Sequence, residues 1–153
     1  MRIIDEKGLS GYVKKLLNLV FLGGIGIFLF LPYLLDWYFD RSYYPSQRSY
    51  YFLLFFLYFT GSFCLWIVYE MIKIFKTLNR KNPFMMDNVI SLQKTALASF
   101  VIAAAYVVKI LFYNSFLTMV ITMIFVIAGL FLTILSEVFK QAVEYKEEND
   151  LTI

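Results

Sequence analysis

Leu16 to Leu35, LLNLVFLGGIGIFLFLPYLL, runs for twenty residues without a charge, and Tyr51 to Tyr69 does so for nineteen. Phe116 to Ser136 is another such run, while Val89 to Phe112 is interrupted only by Lys94 and Lys109. At 1.5 Å of rise per residue, twenty helical residues cover roughly 30 Å, the thickness of a bilayer's hydrocarbon core. Backbone N–H and C=O groups inside lipid must be satisfied within the protein, and a helix does this within one segment. The chain therefore predicts an all-α membrane protein, a single domain built as a four-transmembrane-helix bundle. Its spans fall at about 16–35, 51–72, 89–112 and 116–137, with an acidic tail over 138–153. Composition agrees, since 61% of residues are hydrophobic and 16% charged, whereas soluble domains carry about 25% charged residues.

The first run competes with a cleaved signal peptide, but it is long and lacks a small-x-small cleavage site. No strand pattern precedes Gly23, Gly24 and Gly26, so they read as a surface for close helix approach rather than as a nucleotide loop. Residues 1–15 are mixed in charge and read as an interfacial helix or a frayed start. After the first span, Trp37, Tyr38, Tyr43, Tyr44, Tyr50 and Tyr51 supply rings with polar tips, the chemistry of an interfacial belt. A ligand-sensing loop is the alternative there.

The stretch Lys76 to Lys94, KTLNRKNPFMMDNVISLQK, divides the chain into two apolar hairpins. Asn82-Pro83 is a helix-start signal, because Asn can cap free N–H groups and Pro at the first helical position needs no donor. Leu78 to Asn82 is thus expected as a loop and Pro83 as the start of a new helix. The third span is rich in small residues, Ala96, Ala98, Ser99, Ala103, Ala104 and Ala105, which suits a central place among helices. A tight turn at Tyr113-Asn114-Ser115 leads to the fourth span.

Arg2, Lys7, Lys14, Lys15, Lys73, Lys76, Arg80, Lys81, Lys94, Lys140 and Lys146 fall on one side of this layout, against Arg41, Arg48 and Lys109 on the other. The positive-inside rule then places both termini and the middle connection in the cytoplasm, with the C-terminal helix extending into it.

Most chemistry is excluded. There is no His and a single Cys, Cys64, so neither a disulfide nor a His/Cys metal, haem or iron-sulfur site is available. No cofactor is implied, and no base-positioned nucleophile or carboxylate cluster suggests an enzyme. Asp87 suits the positive end of a helix dipole. The net charge of +3 does not point to direct nucleic-acid binding. Glu70 with Lys73 and Glu137 with Lys140 are spaced for ion pairs, either within each helix or across to the other. Lys109 is expected to reach Asp36 or Asp40 at the end of the first span. What remains as a partner-binding surface is the middle connection, Arg80, Lys81, Asn82, Pro83, Phe84 and Asn88, and the tail, Glu144, Glu147, Glu148, Asn149, Asp150, Leu151 and Ile153. An anionic leaflet repels this tail, which should seek cations, with Leu151 and Ile153 as apolar anchors. Membrane lipids are expected partners, and a homo-oligomer stays open.

The Asn82-Pro83-Phe84 turn followed by Asn88-Val89 and Leu92 resembles the bacterial domain-of-unknown-function family 2975. So does the closing Glu147-Glu148-Asn149-Asp150-Leu151-Thr152-Ile153 after Val138-Phe139 and Gln141-Ala142. The resemblance extends over the whole chain as a four-span layout, its specific part being these two motifs. Where that family often has a Gly near the Pro, this chain has Lys81-Asn82. Members are often encoded beside a very small helix-turn-helix regulator of the Cro repressor type. The resemblance thus implies a multi-pass protein of the bacterial cell membrane that partners a transcription factor, and it brings no catalytic residues. The expected function is non-enzymatic and regulatory or sensory. The alternative is a small transporter or immunity-type protein acting on a solute, peptide or lipid.

The charge bias generates a topology test. In a Cys64→Ala background, Ser46→Cys should react with a membrane-impermeant thiol reagent in intact cells, and Lys81→Cys or Asn149→Cys only after permeabilisation. Labelling of Lys81→Cys in intact cells reverses the orientation.

Overall fold

A computed structural model of the protein describes residues 9–40, 47–78, 84–113 and 115–151. They form four helices, α1 (Leu9–Asp40), α2 (Gln47–Leu78), α3 (Met86–Phe112) and α4 (Phe116–Leu151). Each contains a segment long and apolar enough to cross a membrane. All are longer than the apolar runs that predicted them. Hydropathy marks where lipid begins, whereas a helix has no reason to stop at that plane while its backbone bonds continue. Pro32 lies inside α1, a placement tolerated in membrane helices, where neighbouring groups can re-satisfy the freed carbonyl.

Short connections make successive helices antiparallel, and they pack in chain order: α1 on α2, α2 on α3, α3 on α4. No other pair of helices approaches closely among the described residues. α2 and α3 are consequently the inner helices, and α3 is the more buried of them, with Val89, Ala98 and Ile102 almost fully buried, as its small residues predict. The outer faces are apolar: Leu22, Phe55, Leu111 and Phe116 are each at least 70% exposed. Such surface is costly in water and neutral against hydrocarbon. This is an integral membrane protein.

The start of α3 differs from expectation. Asn82 and Pro83 lie outside the described residues, and the helix begins at Met86. Met85 stands at the cap position in an extended conformation without a side-chain capping bond. Met85 O instead accepts from Asn88 N at 3.0 Å. Phe84, whose ring lies 5.7 Å from that of Phe139 on α4, holds the chain against its neighbour before the helical turn begins. At the far end, Tyr113 N donates to Lys109 O at 2.8 Å, ending α3, and Thr118 N to Ser115 O at 3.0 Å, opening α4; the tight turn expected between them runs through Asn114, which lies outside the described residues.

Of the glycines in α1, Gly24 makes the close approach: a Cβ there would stand 2.8 Å from Leu65 Cδ2, whereas Gly23 and Gly26 face open space. On α2, a Cβ on Gly61 would meet Phe28 at 3.3 Å. Gly129 on α4 is the most confined, because a Cβ would lie 2.9 Å from two atoms of the Phe100 ring. Leu65 presents the end of a flexible side chain, but Phe100 must move as a whole ring and open the α3–α4 contact. Gly129→Ala should therefore lower stability in detergent by about 1–3 kcal/mol. Gly26→Ala should leave stability unchanged or raise it by up to about 1 kcal/mol through helix propensity alone. Equal thermal midpoints for the two variants would show that the approach at Gly129 carries no energy.

Candidate functional site

The end of the molecule where α2 ends, α3 begins and α4 continues past them gathers most of the buried polar groups. α2 and α3 run antiparallel from the 79–83 connection, so residues at equal distances from that connection meet. Thr77 and Asn88 are one such pair, with Thr77 Oγ1 donating to Asn88 Oδ1 at 2.6 Å. Glu70 and Lys94 are the next, at 3.9 Å. Between them lies Ser91, fully buried with an Oγ that has no hydrogen-bond partner.

Glu70 is the sole buried charged residue among those described, its side chain 4% exposed. Oε1 faces Lys94 and accepts from Trp66 Nε1 at 3.4 Å. Oε2 faces Lys73 at 4.0 Å and accepts no hydrogen bond. Both lysines are about half-exposed, at 44%, so their stems cover the apolar seam while the ammonium groups reach the boundary. The carboxylate is thus neutralised by charge from two helices, an arrangement that ties α2 to α3 and suits a structural lock.

Along α3, Asn88, Ser91, Thr95 and Ser99 repeat at helical spacing and are all buried. Thr95 and Ser99 each donate to the carbonyl four residues back, at 2.8 and 2.9 Å. On α4, Ser136 is buried and donates to Thr133 O at 2.7 Å. Thr133, Ser136, Glu137 and Gln93 line a separate shallow groove between α3 and α4.

Glu70 pairs with Lys73 as the spacing predicts, but its cross-helix partner is Lys94. A crossing to the second pair is prevented by packing, since α3 lies between α2 and α4. Glu137 and Lys140 form no ion pair with each other in the structure, and Glu137 turns toward the α3–α4 groove. Lys109 does not meet Asp36 or Asp40, because α1 packs on α2 alone. Its ammonium lies over the Phe56 ring at 5.3 Å and the Tyr106 ring at 5.7 Å, while Asp36 accepts a hydrogen bond from Tyr50.

Among the proposed partner-binding residues, Asn88 is 1% exposed and unavailable to a partner, its amide being committed to the seam. Phe84 is exposed on one side and packed against Phe139 on the other. Glu144, Glu147, Glu148 and Asn149 are exposed along α4. Asp150 and Leu151 end that helix, and Arg80, Lys81, Asn82, Pro83 and Ile153 lie outside the described residues. α4 remains attached after leaving the span, for Val143 is 3% exposed.

The family model described as "Protein of unknown function (DUF2975)" matches residues 34–153. No curated protein and no solved structure matches the chain.

The geometry predicts coupling between Glu70 and Lys94. Lys94→Met should destabilise the wild-type protein in detergent, and much less so in a Glu70→Gln background, with a coupling of about 0.5–3 kcal/mol. Unfolding curves for the two single variants and the double variant decide it, and additive effects would remove the lock. The same cycle between Lys109→Met and Asp36→Asn should give no coupling.

Proposed function

The chain belongs to the DUF2975 family, and on that premise we propose that it is a non-enzymatic regulatory protein that holds a small basic helix-turn-helix regulator at the bacterial cell membrane. The observation that carries this reading is α4. Its 36 residues run unbroken from Phe116 to Leu151, roughly 54 Å of helix against a hydrocarbon core of about 30 Å. About 20 Å therefore project beyond the bilayer as a continuation of the span.

The projecting part is set up for a cationic partner. Glu144, Glu147 and Glu148 follow i, i+3, i+4 spacing, which places them on one side of the helix, and all three are exposed. They lie toward a helix C-terminus, where the macrodipole already contributes negative charge, and the last turn holds no basic residue. A protein that binds nucleic-acid phosphates carries the complementary positive face. With both termini in the cytoplasm, as the distribution of basic residues favours, the acidic helix meets such a partner at the membrane. Tethering raises its local concentration to the millimolar range, on the order of what weak contacts need. The helix-turn-helix class of the partner comes from the gene neighbourhood that the family resemblance implies. Phe139 and Val143 seat the base of the extension, so the acids are presented from a fixed helix.

Removing Glu147 to Ile153 should leave the four spans intact, release a tagged regulator from the membrane fraction and change transcription of its targets. Replacing Glu144, Glu147 and Glu148 by glutamine should act in the same direction more mildly. Equal membrane-bound fractions for full-length and truncated protein, in fractionated cells, would overturn the reading and leave a transporter or immunity-type role in its place.

A further inference from the structure

Toward the opposite end of the molecule, α2 and α3 border an open groove of about 390 Å³. We propose that this groove binds an anionic phospholipid, with an acyl chain lying along it and the phosphate on the Lys109 ammonium. The site is independent of the regulatory reading and of the α4 extension.

One wall is made by Phe52, Phe55, Phe56 and Phe59, the other by Val101, Ala104, Ala105 and Val108, with Lys109 completing the lining. Four rings face the smaller side chains of two alanines and two valines, and that mismatch in volume creates the space. The walls run over eight or nine residues of each helix, about 11 Å along the axis at 1.5 Å per residue. One end lies in the hydrophobic interior. The other reaches Lys109, in the last turn of α3, next to the connection where the chain leaves the span. An apolar channel that starts at the interface and ends on a cation matches a phospholipid's own division into chain and headgroup.

Among the described residues, no carboxylate answers the charge at the mouth. Both ion pairs among the described residues end on Glu70, at the far end of α2. Asp36 belongs to α1, which does not pack on α3. The Phe56 and Tyr106 rings attract the ammonium and fix it at the mouth. They do not saturate its three N–H donors. A phosphate does so, and a net negative headgroup is preferred over a zwitterionic one by about fivefold per lysine.

The test is native mass spectrometry of the purified full-length protein, given equal amounts of phosphatidylglycerol and phosphatidylcholine in detergent. Wild type should retain phosphatidylglycerol about fivefold over phosphatidylcholine. Lys109→Gln should lose the preference while still retaining both lipids, and Lys109→Arg should keep it. Ala105→Phe, which fills the groove, should lower retention of both lipids, with circular dichroism confirming helicity. Should that variant fail to fold, the Lys109 pair still decides. Equal retention of the two lipids by wild type, or an unchanged preference in Lys109→Gln, overturns the proposal. So does a lipid-free dimer cross-linked through Val108→Cys, which would show that a second copy occupies the groove.

Discussion

A hydroxyl or carboxylate placed in hydrocarbon has no water to turn to, and each hydrogen bond it lacks costs far more there than at an aqueous surface. The arrangement of this protein follows from meeting that demand locally. Thr60, Thr95, Ser99, Thr122 and Thr133 all donate to the carbonyl four residues back on their own helix. Hydroxyls answered in this way add no tie between helices. Adhesion must then come from close packing of small residues and from the few polar groups that do cross, which is why Gly24, Gly61 and Gly129 sit at contacts and why α3 carries the buried small side chains.

The crossing groups are concentrated where α2 hands over to α3. Thr77 meets Asn88 and Glu70 meets Lys94, so the hairpin is fastened twice within about three turns of its connection. Removing one member of a buried ion pair is more harmful than never having had the pair, because the survivor keeps its desolvation cost. Glu70 avoids the full cost by facing two lysines whose stems lie in the seam and whose heads reach the boundary. Such a lock also restricts register: a slip of one residue turns Glu70 away from Lys94 and toward lipid. The same bonds account for the absence of Asn88 from any docking surface, since its amide is already committed.

The helices were legible because lipid imposes a length and a hydropathy that few other folds share, and Val89 to Phe112 read as an inner helix because small side chains mark close packing. The start of α3 was not legible in Asn82-Pro83, since tertiary contact of Phe84 with Phe139 decides where the chain turns. Depth alone pairs Lys109 with Asp36 or Asp40; depth says nothing about which helices are neighbours, and α1 touches only α2 among the described residues. Lys94 as the partner of Glu70 was within reach of sequence reasoning, because an antiparallel hairpin brings together residues equidistant from its turn. The fully buried Ser91 is another matter: a lone serine in an apolar helix carries no sign of whether it faces lipid or a neighbour.

The order of packing bears on where function can reside. α1 is the least buried span and rests on α2 through Gly24 and Gly61, and the family match begins at residue 34, near its end. α2, α3 and α4 by contrast contain the seam, the Phe100–Gly129 approach, the phenylalanine-lined groove and the whole projecting acidic helix. A force applied at Glu144 to Glu148 passes down a continuous helix to Phe139, and from there to Phe84 at the threshold of α3, one turn before the Thr77–Asn88 bond. The acidic surface and the polar seam are therefore joined by a short series of packed side chains. The proposed partner at the projecting end would act on the three-helix unit directly, while α1 stands outside that line of contact.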